Sequence, residues 1–161
     1  MRIGYGTSVT VPVQQERWFS EMRAARAFIR GYALISGAGN YGEIQLFNPL
    51  GSGKQILVYR STGSVLTNTA LQYRLHNVAL ANLVGNGINL LSGGAAGAGE
   101  IRYATPLALD GTQLQVVQVL NNDPYGQPAT WLFELSPGQG LLITSNVVNE
   151  TICGNFYWNE V

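Results

Sequence analysis

A few residues in this sequence have the types from which a reactive centre could be built. His76 is the single histidine. A Ser-His-Asp or Cys-His catalyst would need it as general base, between a nucleophile and an orienting carboxylate, so Cys153, Asp110 and Asp123 are its candidate partners. No Gly-x-Ser-x-Gly elbow accompanies them. Asp110-Gly111 and Asp123-Pro124 are turn dipeptides, which explains both aspartates locally. Gly37-Ala38-Gly39-Asn40-Tyr41-Gly42 matches G-x-G-x-x-G to the letter. A dinucleotide fingerprint must open a helix whose amides meet the pyrophosphate, and here Glu43-Ile44-Gln45-Leu46-Phe47 follows, with the alternation of a strand. Gly51-Ser52-Gly53-Lys54 carries the end of a phosphate loop, but Asn48 stands where its first glycine belongs and Gln55 where its Ser or Thr belongs. One His and one Cys cannot furnish a zinc site, and no acids cluster as calcium requires. The expectation is therefore no catalytic, cofactor-binding or metal-ligating residue, and a chain that is not an enzyme.

The elements available to position side chains are nearly all strands. Residues 1–14 end in Val11-Pro12-Val13 and read as an extended arm or edge strand. Residues 15–30 read as one short amphipathic helix: Trp18, Met22, Ala25, Phe28 and Ile29 share a face, Arg17, Glu21 and Arg23 fall elsewhere, and Gly31 stops it. Strand patterns follow at 32–36, 43–49, 55–60, 69–76, 99–105, 112–121, 131–135, 141–145 and 152–158. In the fourth, Leu71, Tyr73 and Leu75 align; in the last, Ile152, Gly154, Phe156 and Trp158 do. Leu114 and Val116 share a face of the 112–121 strand. Residues 51–53, 61–64 and 121–128 carry turn signals, and the Gly-rich stretch 77–99 reads as a long loop. Seven to nine short strands without strand–helix alternation predict a mostly β chain, an antiparallel β-sandwich of jelly-roll-like type. The expected division is an arm and helix over 1–31 and a sandwich over 32–161.

Composition narrows the partners. Charged residues make up 11% of the chain, against about 25% in a typical globular protein. Nine basic and nine acidic residues cancel, and Lys54 is the single lysine, which argues against nucleic-acid binding. The basic charge gathers in 1–31, leaving the remainder acidic, so arm and body of neighbouring copies could attract each other. No apolar run reaches the ~18 residues of a membrane span, and residues 1–13 lack a signal-peptide layout. Cys153 reads as a buried, inert thiol. Trp131, Phe133, Phe156 and Trp158 read as core, Tyr41, Tyr103, Tyr125 and Tyr157 as freer. Trp18, Met22, Arg23, Arg26, Phe28 and Ile29 are the candidate contacts with neighbouring subunits.

The segment Glu43-Ile44-Gln45-Leu46-Phe47-Asn48-Pro49, then Gly51-Ser52-Gly53-Lys54 and Gln55-Ile56-Leu57-Val58, resembles small tailed-phage virion proteins of "IQLWNPxxSGK" type. Leu135-Ser136-Pro137-Gly138-Gln139-Gly140-Leu141-Leu142 and the closing Asn155-Phe156-Tyr157-Trp158-Asn159-Glu160 are similar to their later segments. The resemblance covers roughly residues 32–161 and carries over no functional residue. It implies a β-sandwich in a head or tail assembly, made in the host cytoplasm and ending in the virion. The partners would be copies of itself and a major capsid or tail protein. The role expected first is a capsid decoration or cement subunit. The alternative is a tail- or fibre-associated module that binds a receptor or a host surface glycan, with loop 77–99 and Tyr125 as its contact surface.

Overall fold

The computed structural model describes residues 20, 24, 26–67, 69–119, 127–129 and 133–161. Among them are twelve strands: β1 Ala27–Ile35, β2 Glu43–Phe47, β3 Ile56–Val65, β4 Thr69–Leu75, β5 Asn82–Asn86, β6 Ile88–Asn89, β7 Glu100–Ala104, β8 Thr112–Val119, β9 Gln127–Ala129, β10 Phe133–Leu135, β11 Gly140–Ser145 and β12 Thr151–Glu160. They form two antiparallel sheets. One has the order β10-β3-β12-β1-β6, with β9 also on β3; the other has the order β5-β7-β2-β11-β4-β8.

Alternation of side chains along each strand gives the sheets their facing surfaces. Phe28, Ile56, Val58, Ile152, Phe156 and Trp158 of the first sheet join Ile44, Leu46, Leu71, Tyr73, Ile101, Leu141 and Ile143 of the second in one buried cluster. The arrangement is β-sandwich-like. Trp158 is completely buried, with its ring 6.0 Å from that of Phe28. The aligned sets in β4 and β12 thus face the core as their spacing predicts. In β8 the shared face of Leu114 and Val116 is the exposed one. There Tyr73 pairs with Gln115 and Arg74 with Gln113, so Leu114 is the extra residue of a bulge and Val117 packs on the core.

The second sheet also buries its outer face at β2 and β11. Glu43, Gln45 and Phe47 lie opposite the inward Ile44 and Leu46, yet all are buried. The connection after β4 crosses over them. The Gln45 amide donates to the carbonyls of His76 (3.1 Å) and Val78 (3.0 Å) and accepts from the Leu80 N–H (2.9 Å). Leu80 and Leu142 are buried beneath it. The connection after β7 is tied down beside it, with the Asp110 N–H on Glu43 Oε1 at 2.9 Å.

Several expectations need correction. Residues 27–30, placed in a helix, are extended and open β1, because β12 offers a continuous ladder from Ala27↔Asn159 to Ile35↔Thr151. The Ala24 N–H donates to the Ser20 carbonyl, a single helical hydrogen bond; most of the remaining expected helix, and the arm before it, lie outside the described residues. The boundary drawn at 31/32 falls within β1. Residues 61–64 are strand rather than turn. Gly63 is what the close packing demands there, since a Cβ would lie 2.6 Å from Leu71 Cδ1. Stretch 77–99 contains β5 and β6, and the turn expected over 121–128 overlaps β9, which begins at Gln127.

Candidate interaction surface

β5 and β6 are consecutive in the chain but belong to different sheets, so the segment from β5 to β7 closes one side of the sandwich. Its glycines are there because large groups press on it. A Cβ at Gly87 would lie 2.3 Å from the Trp158 ring, and one at Gly97 would lie 2.6 Å from Glu160 Oε1. Glu160 is nearly buried at 5% exposure and accepts three hydrogen bonds: Ala98 N–H (2.9 Å), Gly99 N–H (2.9 Å) and Trp158 Nε1–H (3.0 Å). Arg30 reaches across from β1 and donates to the carbonyls of Asn86 (2.7 Å) and Val84 (3.3 Å). Carboxylate and guanidinium thus hold a segment whose Leu83, Ile88 and Leu91 stay exposed rather than packing into the core.

Two adjoining clefts flank this segment. One of about 480 Å³ is lined by Arg30, Asn86, Asn89, Leu91 and the backbone of Gly93 and Gly94. The other, about 220 Å³, is lined by Arg26, Phe28, Lys54, Asn89 and Glu160. Arg26, Arg30 and Lys54 outnumber Glu160, so the lining favours oxygen acceptors and anionic groups. Neither cleft is lined by a pair of acids or by a hydroxyl or thiol nucleophile.

Of the residues expected to contact neighbours, Trp18, Met22 and Arg23 lie outside the described residues. Arg26 is exposed, directly before β1, and its carbonyl accepts the Glu160 N–H at 3.0 Å. Phe28 and Ile29 do not share a helix face. In a strand they point to opposite sides, Phe28 into the core at 5% exposure and Ile29 outward, half-buried. Arg30 and Glu160 were not singled out by sequence; their roles depend on contacts 54–62 residues away along the chain.

Of the residues with chemical potential, the Asp110-Gly111 turn lies beside His76, where a Cβ at Gly111 would come 3.0 Å from His76 Cβ. Cys153 lies on β12 in one sheet, while His76 directly follows β4 of the other. Asp123 lies outside the described residues. Among the described residues no three His, Cys, Asp or Glu side chains gather as a metal site, and no helix is long and apolar enough to cross a membrane. Gly37–Gly42 forms a turn into β2, with Ala38 and Gly39 at positive φ and the Gly39 N–H on Asn149 Oδ1 at 2.8 Å. The Asn-Pro and Ser-Gly-Lys signatures meet the later Ser-Pro-Gly segment at buried Asn48. Its Nδ2 donates to the carbonyls of Lys54 and Leu135 (both 2.8 Å), its Oδ1 accepts from the Ser52 hydroxyl (2.6 Å), and its carbonyl accepts the Gly138 N–H (2.7 Å). Those motifs therefore fasten two turns together.

Aromatic side chains also mark the outer face of the first sheet. Tyr59 and Tyr157 lie with ring centroids 6.5 Å apart, and the Arg60 guanidinium sits 5.4 Å from the Tyr157 centroid. Comparison with protein families, curated proteins and solved structures finds no match.

Proposed function

We propose that this chain is a non-enzymatic structural protein of a tailed-bacteriophage virion, a head decoration or cement subunit that stabilises the particle through contacts between subunits. It would be assembled in the host cytoplasm and reside in the virion. The observation carrying the reading is the strand order. The run β1-β12-β3-β10 facing β2-β11-β4-β8 supports a jelly-roll reading, in which β5–β7 would be an insertion between the fourth and fifth of eight strands. That architecture recurs in viral capsid and lectin domains. Because a fold alone does not assign a role, the surface supplies the second support. Ile35, Leu50, Val78 and Leu107 are each at least 65% exposed, on a chain with unusually few charges to solvate it. The virion-type signatures at Asn48, Ser52-Gly53-Lys54 and the closing strand agree with this reading.

Quantitative mass spectrometry of purified particles tests it. Hundreds of copies beside the major capsid protein are expected for a decoration subunit. A few dozen or fewer would move the chain to the tail, and absence from particles would overturn the reading.

A second reading has its own observation, the Tyr59–Tyr157–Arg60 patch on an outer sheet face, which suits stacking against a sugar ring. A tail- or fibre-associated glycan-binding module should show saturable binding to host surface glycans that Tyr157→Ala abolishes. Binding unchanged by that substitution would remove the patch from consideration.

A further inference from the structure

We infer that β1 has a self-complementary free edge over Gly31–Ile35, through which two copies of this chain pair about a two-fold axis into one continuous sheet. The inference stands on geometry and holds whether or not the chain belongs to a virion.

The backbone pattern defines the edge. Ser36 N–H bonds to the Glu150 carbonyl and Glu160 N–H to the Arg26 carbonyl, so the even-numbered residues of β1 face β12. Leu90 N–H bonds to the Ala27 carbonyl, so the odd-numbered ones face away, toward β6. β6 pairs only with Phe28 and Ile29. Beyond it, the N–H and C=O groups of Gly31, Ala33 and Ile35 point along the sheet, with no strand opposite them among the described residues. Ala33 is exposed and Ile35 is 78% exposed. Unpaired strand edges are normally guarded by charge, proline or a bulge, and residues 31–35 contain none of these.

The occupant is written into the order of side-chain sizes. An antiparallel copy centred on Ala33 sets Ala33 against Ala33 and Ile35 against Gly31, twice by symmetry. Each exposed isoleucine then covers a position without a side chain. The edge carries no charge and the chain has formal net charge zero, so two copies meet without repulsion. A two-fold contact of this kind is isologous and closes as a dimer rather than a fibre. Five residues per copy bury little against the ~1,200 Å² of total area at the lower end of stable interfaces. The free dimer is therefore weak, with dissociation in the micromolar range.

Sedimentation of the full chain over a concentration series should show a reversible monomer–dimer equilibrium. Ile35→Lys should weaken it roughly tenfold or more without altering the circular dichroism spectrum, because that side chain lies in solvent. Register is tested by crosslinking in a Cys153→Ser background, needed because Cys153 faces Ala33 across β12. Ala33→Cys should give a disulfide dimer on mild oxidation, since hydrogen-bonded antiparallel partners sit about 5.5 Å apart. Ile35→Cys should not, its symmetry mate being roughly 14 Å away. A monomer at every concentration overturns the inference, as does a dimer indifferent to Ile35→Lys or equal crosslinking at both positions. Slow hydrogen exchange at the Ala33 amide of the monomer would show the edge covered by the chain's own residues, and would overturn it too.

Discussion

Replacing Trp158 with alanine should lower the unfolding free energy by about 3–5 kcal/mol, a fall in melting temperature of roughly 6–20 °C for a chain of this size. Two losses combine. Among the described residues the indole is the largest of the completely buried side chains, and it lies where the first sheet, the second sheet and the Gly-rich segment meet. Its Nε1–H is also one of three donors to Glu160 Oε1 and Oε2, the carboxylate that holds Ala98 and Gly99. Removing the ring leaves a cavity and takes one donor from a nearly buried carboxylate, so the segment 86–99 should loosen ahead of global melting. Trp158→Phe keeps most of the ring contact and removes the N–H, and should cost about 1–2 kcal/mol. Thermal melts of both variants, with hydrogen exchange at Gly87, Ala98 and Gly99, check the argument. A loss below about 1 kcal/mol in the alanine variant would mean that the ring is not packed between the sheets.

The second large effect follows pH. Burial raises the Glu43 carboxyl from 4.5 to about 7; Asp110 adds both opposing hydrogen-bond effects and charge repulsion, and Arg74 partly offsets the rise. Below about pH 4.5 the group is protonated in folded and unfolded chains alike, and its stability contribution is fully present. Between there and about pH 7 the unfolded chain gives up its proton while the folded chain retains it, so stability falls as pH rises. Above about pH 7 both states are ionised and the loss levels off, at a size on the order of 3 kcal/mol. Glu43→Gln keeps an oxygen for the Asp110 N–H and has no charge to bury. Its melting temperature should match the parent near pH 4.5 and exceed it by several degrees above about pH 7. Parallel melting curves for the two proteins across that range would show that Glu43 is not the titrating group.

Much of the sandwich was legible because half-buried strands write their geometry at period two. β4 and β12 carry alternating large apolar residues that no helix could bury on one face, and both were read correctly. Residues 27–30 were misread because Phe28 and Ile29, placed after Met22 and Ala25, satisfy a helical stripe as well as a strand. The choice is made by β12, more than a hundred residues later, which local periodicity does not register. Ser61-Thr62-Gly63-Ser64 has the composition of a turn, yet Gly63 is small because Leu71 lies over it. The Gly-rich stretch was seen as permissive when it is crowded: its glycines make room for Trp158, Phe28 and Asn89. Arg30 and Glu160 carry no local signature at all.

The position of β12 in the first sheet has a consequence for how the molecule comes to exist. It lies between β3 and β1 and pairs with both along nearly its whole length, yet it follows all the other described strands in the chain. While a ribosome is still making residues 151–160, β1 and β3 have no neighbour to join them, and Phe28, Ile56 and Val58 have no Trp158 or Phe156 to pack on. Folding of that sheet therefore waits for this segment to emerge, and its ladders close loops of roughly ninety to a hundred and thirty residues, which is slow. During that interval the nascent chain presents apolar strands with open edges, the state in which a holding chaperone or a high density of sister chains would most strongly decide its fate.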